Sequence, residues 1–114
     1  MDNEAIVQEW HRAVNARDDR ALAVYLAEDV ALGGPRDVRS GRLEAIDWVH
    51  RSGIQISPEN WHPVNDQELV VEERAIWPNN DDSVLIYVRY RVEGGMITAI
   101  RRFTDLEVAL RSNE

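Results

Sequence analysis

The sequence contains no cysteine, which excludes disulfides, thiolate metal sites and a cysteine nucleophile. It contains no lysine either: all 13 basic residues are arginine, so Schiff-base and lysine-nucleophile chemistry are excluded as well. A GC-rich coding sequence is the simplest origin of that bias. No apolar run approaches the ~20 residues of a membrane-spanning helix, so no membrane is expected as a partner. No basic tract stands out against the net charge of −8, and nucleic acid is not an expected partner. The opening stretch MDNEAIVQEW is acidic and amphipathic, unlike a signal peptide, and a cytoplasmic location is the expectation. His11, His50 and His62 fall on separate segments without HxH or HExxH spacing, so no metal is expected. With no P-loop or dinucleotide glycine motif, no cofactor is expected.

What is present is an ordinary soluble composition, 44% hydrophobic and 30% charged over 114 residues, consistent with one domain spanning 1–114. Residues 4–16 carry a 3.6-residue apolar period centred near Trp10, with Asp2 or Asn3 as cap and His11 at the solvated edge. Asp18 caps a short helix over 19–27 that turns Leu22, Tyr25 and Leu26 inward. Asp29 ends it as a cap or lies near a pocket mouth. Val30–Leu32 reads as a strand broken by GGP, with Val38–Arg39 as its hairpin partner. Ser40 caps a third helix, 41–52, with Leu43, Ile46 and Val49 on its apolar arc and Gly53 just past its end. Trp48 lies opposite that arc. Strands follow at Trp61–Asp66, Leu69–Trp77, Ser83–Val92 and Met96–Phe103; Pro63 makes the first an edge. Thr104 to Glu107 matches a capping box for a short final helix. Helices followed by a strand meander is an α+β order.

The stretches AVNARDDRALAVYLAEDV (13–30), SGRLEAIDWV (40–49), EERAIW (72–77) and EGGMITAIRRFTDLEVAL (93–110) span nearly the whole chain. In their order and spacing the sequence resembles the nuclear transport factor 2-like superfamily. That superfamily includes ketosteroid isomerase, limonene epoxide hydrolase and the SnoaL-like polyketide cyclases. The resemblance implies a cone-shaped, curved mixed or antiparallel β-sheet wrapped around three N-terminal helices, a cystatin-like α+β barrel with a short C-terminal helix. It also implies a small-molecule pocket in the cone. The known chemistries of the superfamily fit poorly at the matching positions. The isomerase tyrosine, base and second acid become Trp10, Gly34 and Val88. Of the epoxide hydrolase set only Arg74 survives; its other positions hold Ile76, Arg102, Leu32 and Gly34.

MITAIRRFTD poses the central question, because a strand that turns either face inward takes an arginine with it. The resemblance places Ile100 and Arg102 on the concave face, with Val70, Glu72, Arg74 and Ile76 inward from the EERAIW strand. Val84, Ile86, Val88, Tyr90 and Val92 point inward from the next. The apolar count disagrees, favouring Leu69, Val71, Ala75 and Trp77, and Ile97, Ala99 and Phe103. Either the convex face is also buried, as a homodimer patch of Leu69, Val71, Trp77, Leu85, Tyr87, Ile97 and Phe103, or the register is flipped and both arginines meet solvent.

The functional expectation is a pocket domain that binds a small, largely apolar, oxygenated ligand without a cofactor, by isomerisation, dehydration or hydration if it turns the ligand over. Arg74 and Arg102 are the candidate oxyanion holders, with Glu72 or His50 to move a proton. Trp10, Tyr25, Trp61, Val88, Tyr90 and Ile100 are the candidate ligand contacts. Whether the protein is an enzyme at all is left open, since a self-satisfied Arg–Glu–Arg cluster and a rim histidine are equally consistent with the residues. The alternative function is a non-catalytic ligand-binding or dimeric interaction module with a filled cavity.

Overall fold

A computed structural model describes residues 2–34, 38–79 and 81–111. Helix α1 (Asn3–Ala16) starts at Asp2, whose carboxylate accepts from the Ala5 amide. It ends at Arg17 in the left-handed conformation. Its inward stripe carries Ile6, Val7, Trp10, Ala13 and Val14. His11 belongs to that stripe too, 3% exposed rather than solvated. Helix α2 (Asp19–Tyr25) is capped by Asp18 and stops earlier than the pattern suggested. The chain passes directly into β1 (Leu26–Gly33), so Asp29 lies in a strand and is exposed. Strand β2 (Val38–Ser40) pairs with β1 as the predicted hairpin; residues 35–37 of the GGP break lie outside the described residues.

Helix α3 (Arg42–Ser52) is capped at Gly41, not Ser40, which closes β2. Its inward line is Ala45 and Val49, and Leu43 is 81% exposed. At 100° per residue Leu43 sits about 160° from Ala45, so a helix that turns Ala45 and Val49 inward sends Leu43 to solvent. Gly53 terminates the helix with φ 65°.

Strands β3 (Gln55–Pro63), β4 (Glu68–Ile76), β5 (Val84–Glu93) and β6 (Met96–Phe103) follow, then α4 (Leu106–Arg111). Asp105 rather than Thr104 caps α4, accepting from the Glu107 and Val108 amides. The six strands form one mixed, curved, unclosed sheet in the order β2-β1-β6-β5-β4-β3. Among the described residues only the β1–β6 pairing is parallel. The sheet wraps α1, and α4 lies on its other face, anchored by the buried Arg89, which donates to the Ala109 and Leu110 carbonyls and pairs with Glu68 at 3.1 Å.

The register answers the question of the arginines strand by strand. Val88 stands opposite Arg102, and Tyr90 opposite Ile100, all on the concave side. Strand β5 also turns Ile86 and Val92 inward as expected, whereas Val84 at its start is 41% exposed. On β4 the expectation was one residue out. Val71 pairs with Val88 and Glu73 with Ile86, so Leu69, Val71, Glu73 and Ala75 face the helices. Glu72, Arg74 and Ile76 face outward, and Val70 is buried on that outer side. Three members of the expected homodimer patch, Leu69, Val71 and Ile97, are therefore core residues, and Trp77 packs against the core. Leu85, Tyr87 and Phe103 remain half-buried on the convex face. The apolar stripe on β4 was the core signal, and it outweighed the motif alignment because burying Leu69, Val71 and Ala75 in the core stabilises more than a register that leaves them wet.

Candidate functional site

The cone encloses a pocket of about 520 Å³. Its walls are aliphatic, with Val14 from α1, Ile54 just before β3, Ile56 from β3, and Ile86, Val88 and Ile100 from the rest of the sheet. Its floor is polar. Trp10, Glu73 and Tyr90 line it, each 3% exposed or less.

The floor is a hydrogen-bonded cluster from three elements. His11 Nε2 lies 2.7 Å from Glu73 Oε2, and the Tyr90 hydroxyl donates to the same oxygen. His11 Nε2 and the Tyr90 hydroxyl are 3.2 Å apart. Both donors converge on Oε2. Among the described residues no hydrogen bond reaches Oε1, yet that atom is not among the fully enclosed, unpartnered ones, so it opens to the pocket. Among the described residues His11 Nδ1 is enclosed and finds no hydrogen-bond partner. The His11 ring is braced by Trp61 at 5.8 Å and Tyr90 at 5.9 Å between centroids. Burial holds the Tyr90 phenol well above its ordinary pKa; the adjacent Glu73 carboxylate adds to this and a hydrogen bond from Trp10 opposes it. Tyr90 is thus a fixed donor that keeps Glu73 oriented.

The rim is cationic. Arg39, Arg51 and Arg102 line the mouth with Glu44 and Trp48. Arg39 and Arg51 pair with Glu44 at 3.3 and 3.2 Å, and Arg51 also pairs with Asp47 at 2.6 Å. The Arg102 guanidinium sits over Trp77, 5.7 Å from the ring centroid.

Of the residues singled out from the sequence, the structure brings Trp10, Val88, Tyr90, Ile100 and Arg102 around this pocket. Five others stand elsewhere. Arg74 makes a bidentate pair with Glu59 on the convex surface, both contacts 3.1 Å, which raises its pKa further. Glu72 meets His62 at 2.5 Å on that same side, and His50 pairs with Asp19 on the exposed surface. Tyr25 is half-buried against the core without reaching the pocket. Trp61 stands behind His11 rather than in the pocket. Among the described residues no group of three His, Asp or Glu side chains could hold a metal.

Glu73 and His11 were overlooked as site residues, although a signal for Glu73 was present. It occupies the middle of the stripe Leu69, Val71, Ala75, and a carboxylate inside an apolar alternation is costly unless partners await it. No sequence signal specified that His11 would be its partner, since they lie 62 positions apart.

No family model and no curated protein matches the chain. Solved structures do. A Cytophaga hutchinsonii NTF2-like protein of unknown function is 17% identical over 90% of this chain and 88% of that one, with a TM-score of 0.79. A Sinorhizobium meliloti putative polyketide cyclase is 16% identical, covering 87% of this chain and 94% of its own, with a TM-score of 0.76. A Mycobacterium tuberculosis protein, solved with estradiol-17β-hemisuccinate, is 18% identical over 90% and 93% of the two chains, with a TM-score of 0.75. No helix of the described residues is long and apolar enough to cross a membrane. The strand order, the helices inside the cone and these matches together show that the chain has the NTF2-like, cystatin-type α+β fold.

Proposed function

We propose that this domain binds a small, largely apolar, oxygenated molecule in the cone pocket, without a cofactor, and exchanges a proton with it through Glu73. One observation carries the reading. At the end of an aliphatic pocket a carboxylate has one oxygen held by two donors and the other open to the cavity. Such a group accepts a hydrogen bond from a ligand hydroxyl. It is also placed to take a proton from a carbon next to a carbonyl. In that step the C–H bond breaks, the proton goes to Oε1, and the electron pair moves into the carbonyl to give an enolate. Return of the proton to a different carbon completes an isomerisation, with no oxidant or reductant consumed. The aliphatic walls exclude water and strengthen each polar contact inside. The estradiol hemisuccinate bound by the Mycobacterium protein supports a ligand of this class.

A specific observation favours a second reading, binding without turnover. The positions that the resemblance gives to the base and the second acid hold Gly34 and Val88 at the pocket, which have no ionisable group. A thermal-shift panel of steroid, terpenoid and aromatic alcohols and ketones tests the pocket first. Ligand at a hundred times its Kd adds about 2.7 kcal/mol, a rise of several degrees. Hydrogen–deuterium exchange of a bound ketone, followed by NMR, then separates the readings. Exchange that disappears in Glu73→Gln while ketone binding persists supports proton transfer. Binding without exchange leaves the second reading, and no binder anywhere in the panel refutes both. Arg74→Ala, altered on the opposite face, is the control and leaves binding unchanged.

A further inference from the structure

We infer that the pocket is built for an amphipathic anion, a molecule with an apolar body, an oxygen function at the inner end and a carboxylate at the outer end, and that Arg102 is its specificity-determining contact. The inference rests on the pocket reading above and adds the ligand's charge and polarity. Rim and floor differ in kind. The floor offers an acceptor, Glu73 Oε1, and so suits a hydroxyl or an acidic C–H; it repels a carboxylate. The rim offers guanidiniums. Arg39, Arg51 and Arg102 stand against Glu44, which lines the rim, and Asp47, which pairs with Arg51. Among the described residues three arginines stand against two carboxylates at the mouth, on a chain whose net charge is −8. A bound anion is therefore held by local contacts and not by the field of the whole protein.

Arg102 is distinguished within this set. Arg39 and Arg51 are both committed to Glu44. Among the described residues no carboxylate pairs with Arg102; it stacks over Trp77 and keeps its planar donor edge available. It reaches the mouth from the concave side of β6, opposite Val88, whereas Glu73 lies on β4 opposite Ile86. Two strand spacings across and two residues along put the two Cα atoms roughly 12 Å apart. The aliphatic residues Ile86 and Val88 lie on the strand between them. A ligand bridging the two groups must then carry its oxygen function and its carboxylate at opposite ends of a rigid or extended apolar body. A mouth-seated carboxylate received by a planar guanidinium makes a bidentate pair, which a neutral ester cannot.

The test uses matched pairs that differ only in charge: naphthylacetic acid, decanoic acid and estradiol hemisuccinate, each against its methyl ester, titrated by calorimetry into the full chain and into Arg102→Gln. Arg102 is exposed, so the variant is expected to fold; circular dichroism and Tm verify this. The expected result is that at least one acid binds about tenfold tighter than its ester, and that Arg102→Gln reduces the preference to about twofold or less. Esters that bind as well as acids overturn this inference while leaving the pocket reading intact. An acid preference that survives Arg102→Gln removes Arg102 as its source. If no acid or ester binds, this inference fails, while the alcohol and ketone panel decides the pocket reading separately.

Discussion

Replacing Tyr90 with phenylalanine isolates the polar floor from the packing around it. The ring stays, so the loss of buried apolar area is near zero, and no cavity larger than one oxygen is made. What goes is the hydroxyl that donates to Glu73 Oε2, together with the acceptor that Trp10 uses. A hydrogen bond to a charged group contributes about 1.5–3 kcal/mol, and a stranded buried donor costs about 1–3 kcal/mol. The terms overlap, because the pocket side can admit water to one of the freed groups. A destabilisation of about 2–3 kcal/mol is expected, a fall in Tm of roughly 10 °C for a chain of this length. Urea unfolding followed by tryptophan fluorescence measures it, and m should not change.

The same substitution has a pH signature. The phenol's pKa is raised in the folded state, so between its ordinary value near 10 and its folded value the unfolded chain binds fewer protons than the native one. Stability from this group is complete below about pH 10 and is lost as pH rises beyond it. The wild type should thus lose stability steeply above pH 10, and Tyr90→Phe should flatten that limb. A destabilisation under about 0.5 kcal/mol, with an unchanged alkaline limb, would refute the claim that Tyr90 holds Glu73 in place.

Two further outcomes follow from other parts of the structure. Glu68 is held below its ordinary pKa chiefly by its hydrogen bond from Arg89, with Asn65 helping and burial opposing. A depressed folded pKa gives stability that is present above about pH 4.5 and lost as pH falls through the folded value. Glu68→Gln should flatten the acid limb below pH 4.5 in a Tm-against-pH series, and an unchanged limb would place the acid sensitivity elsewhere. At Gly53 the φ is +65° and an added Cβ would lie 2.5 Å from Pro78 Cγ. Gly53→Ala should cost about 1–3 kcal/mol by chemical denaturation, from left-handed strain plus the displaced proline, and a neutral result would mean the helix terminus relaxes freely.

How much was legible can be argued from particular residues. Period and punctuation located most elements: Asp2, one of the two caps read for α1, the Asp18 cap, the Gly53 terminator and the bounds of β6 follow from local steric and hydrogen-bond rules, whereas the strand read at Trp61–Asp66 begins earlier, at Gln55, and ends at Pro63. The order of helices and strands, with the matching stretches, led to the correct fold class. Local rules were less decisive where a neighbour competes, as with Ser40 and Thr104, displaced as caps by Gly41 and Asp105.

The faces were a different matter. Alternation says which residues share a side of a strand, but it does not say which side meets the helices. On β6 the concave pair Ile100 and Arg102 was placed correctly from the resemblance, whereas on β4 the same reasoning sent Glu72 and Arg74 inward and left out Glu73. A shift of one residue exchanges every side chain between core and solvent, so a single strand's register decides which acid belongs to the site. The pairing of Glu73 with His11 and Tyr90 joins three segments far apart in the chain, and only closure of the sheet around α1 brings them within hydrogen-bond reach. The amino-acid sequence by itself determined most of the elements and the order in which they follow, because those depend on interactions a few residues long. Tertiary structure alone decided which carboxylate is buried and which histidine and tyrosine meet it, because those depend on contacts between residues that the chain keeps apart.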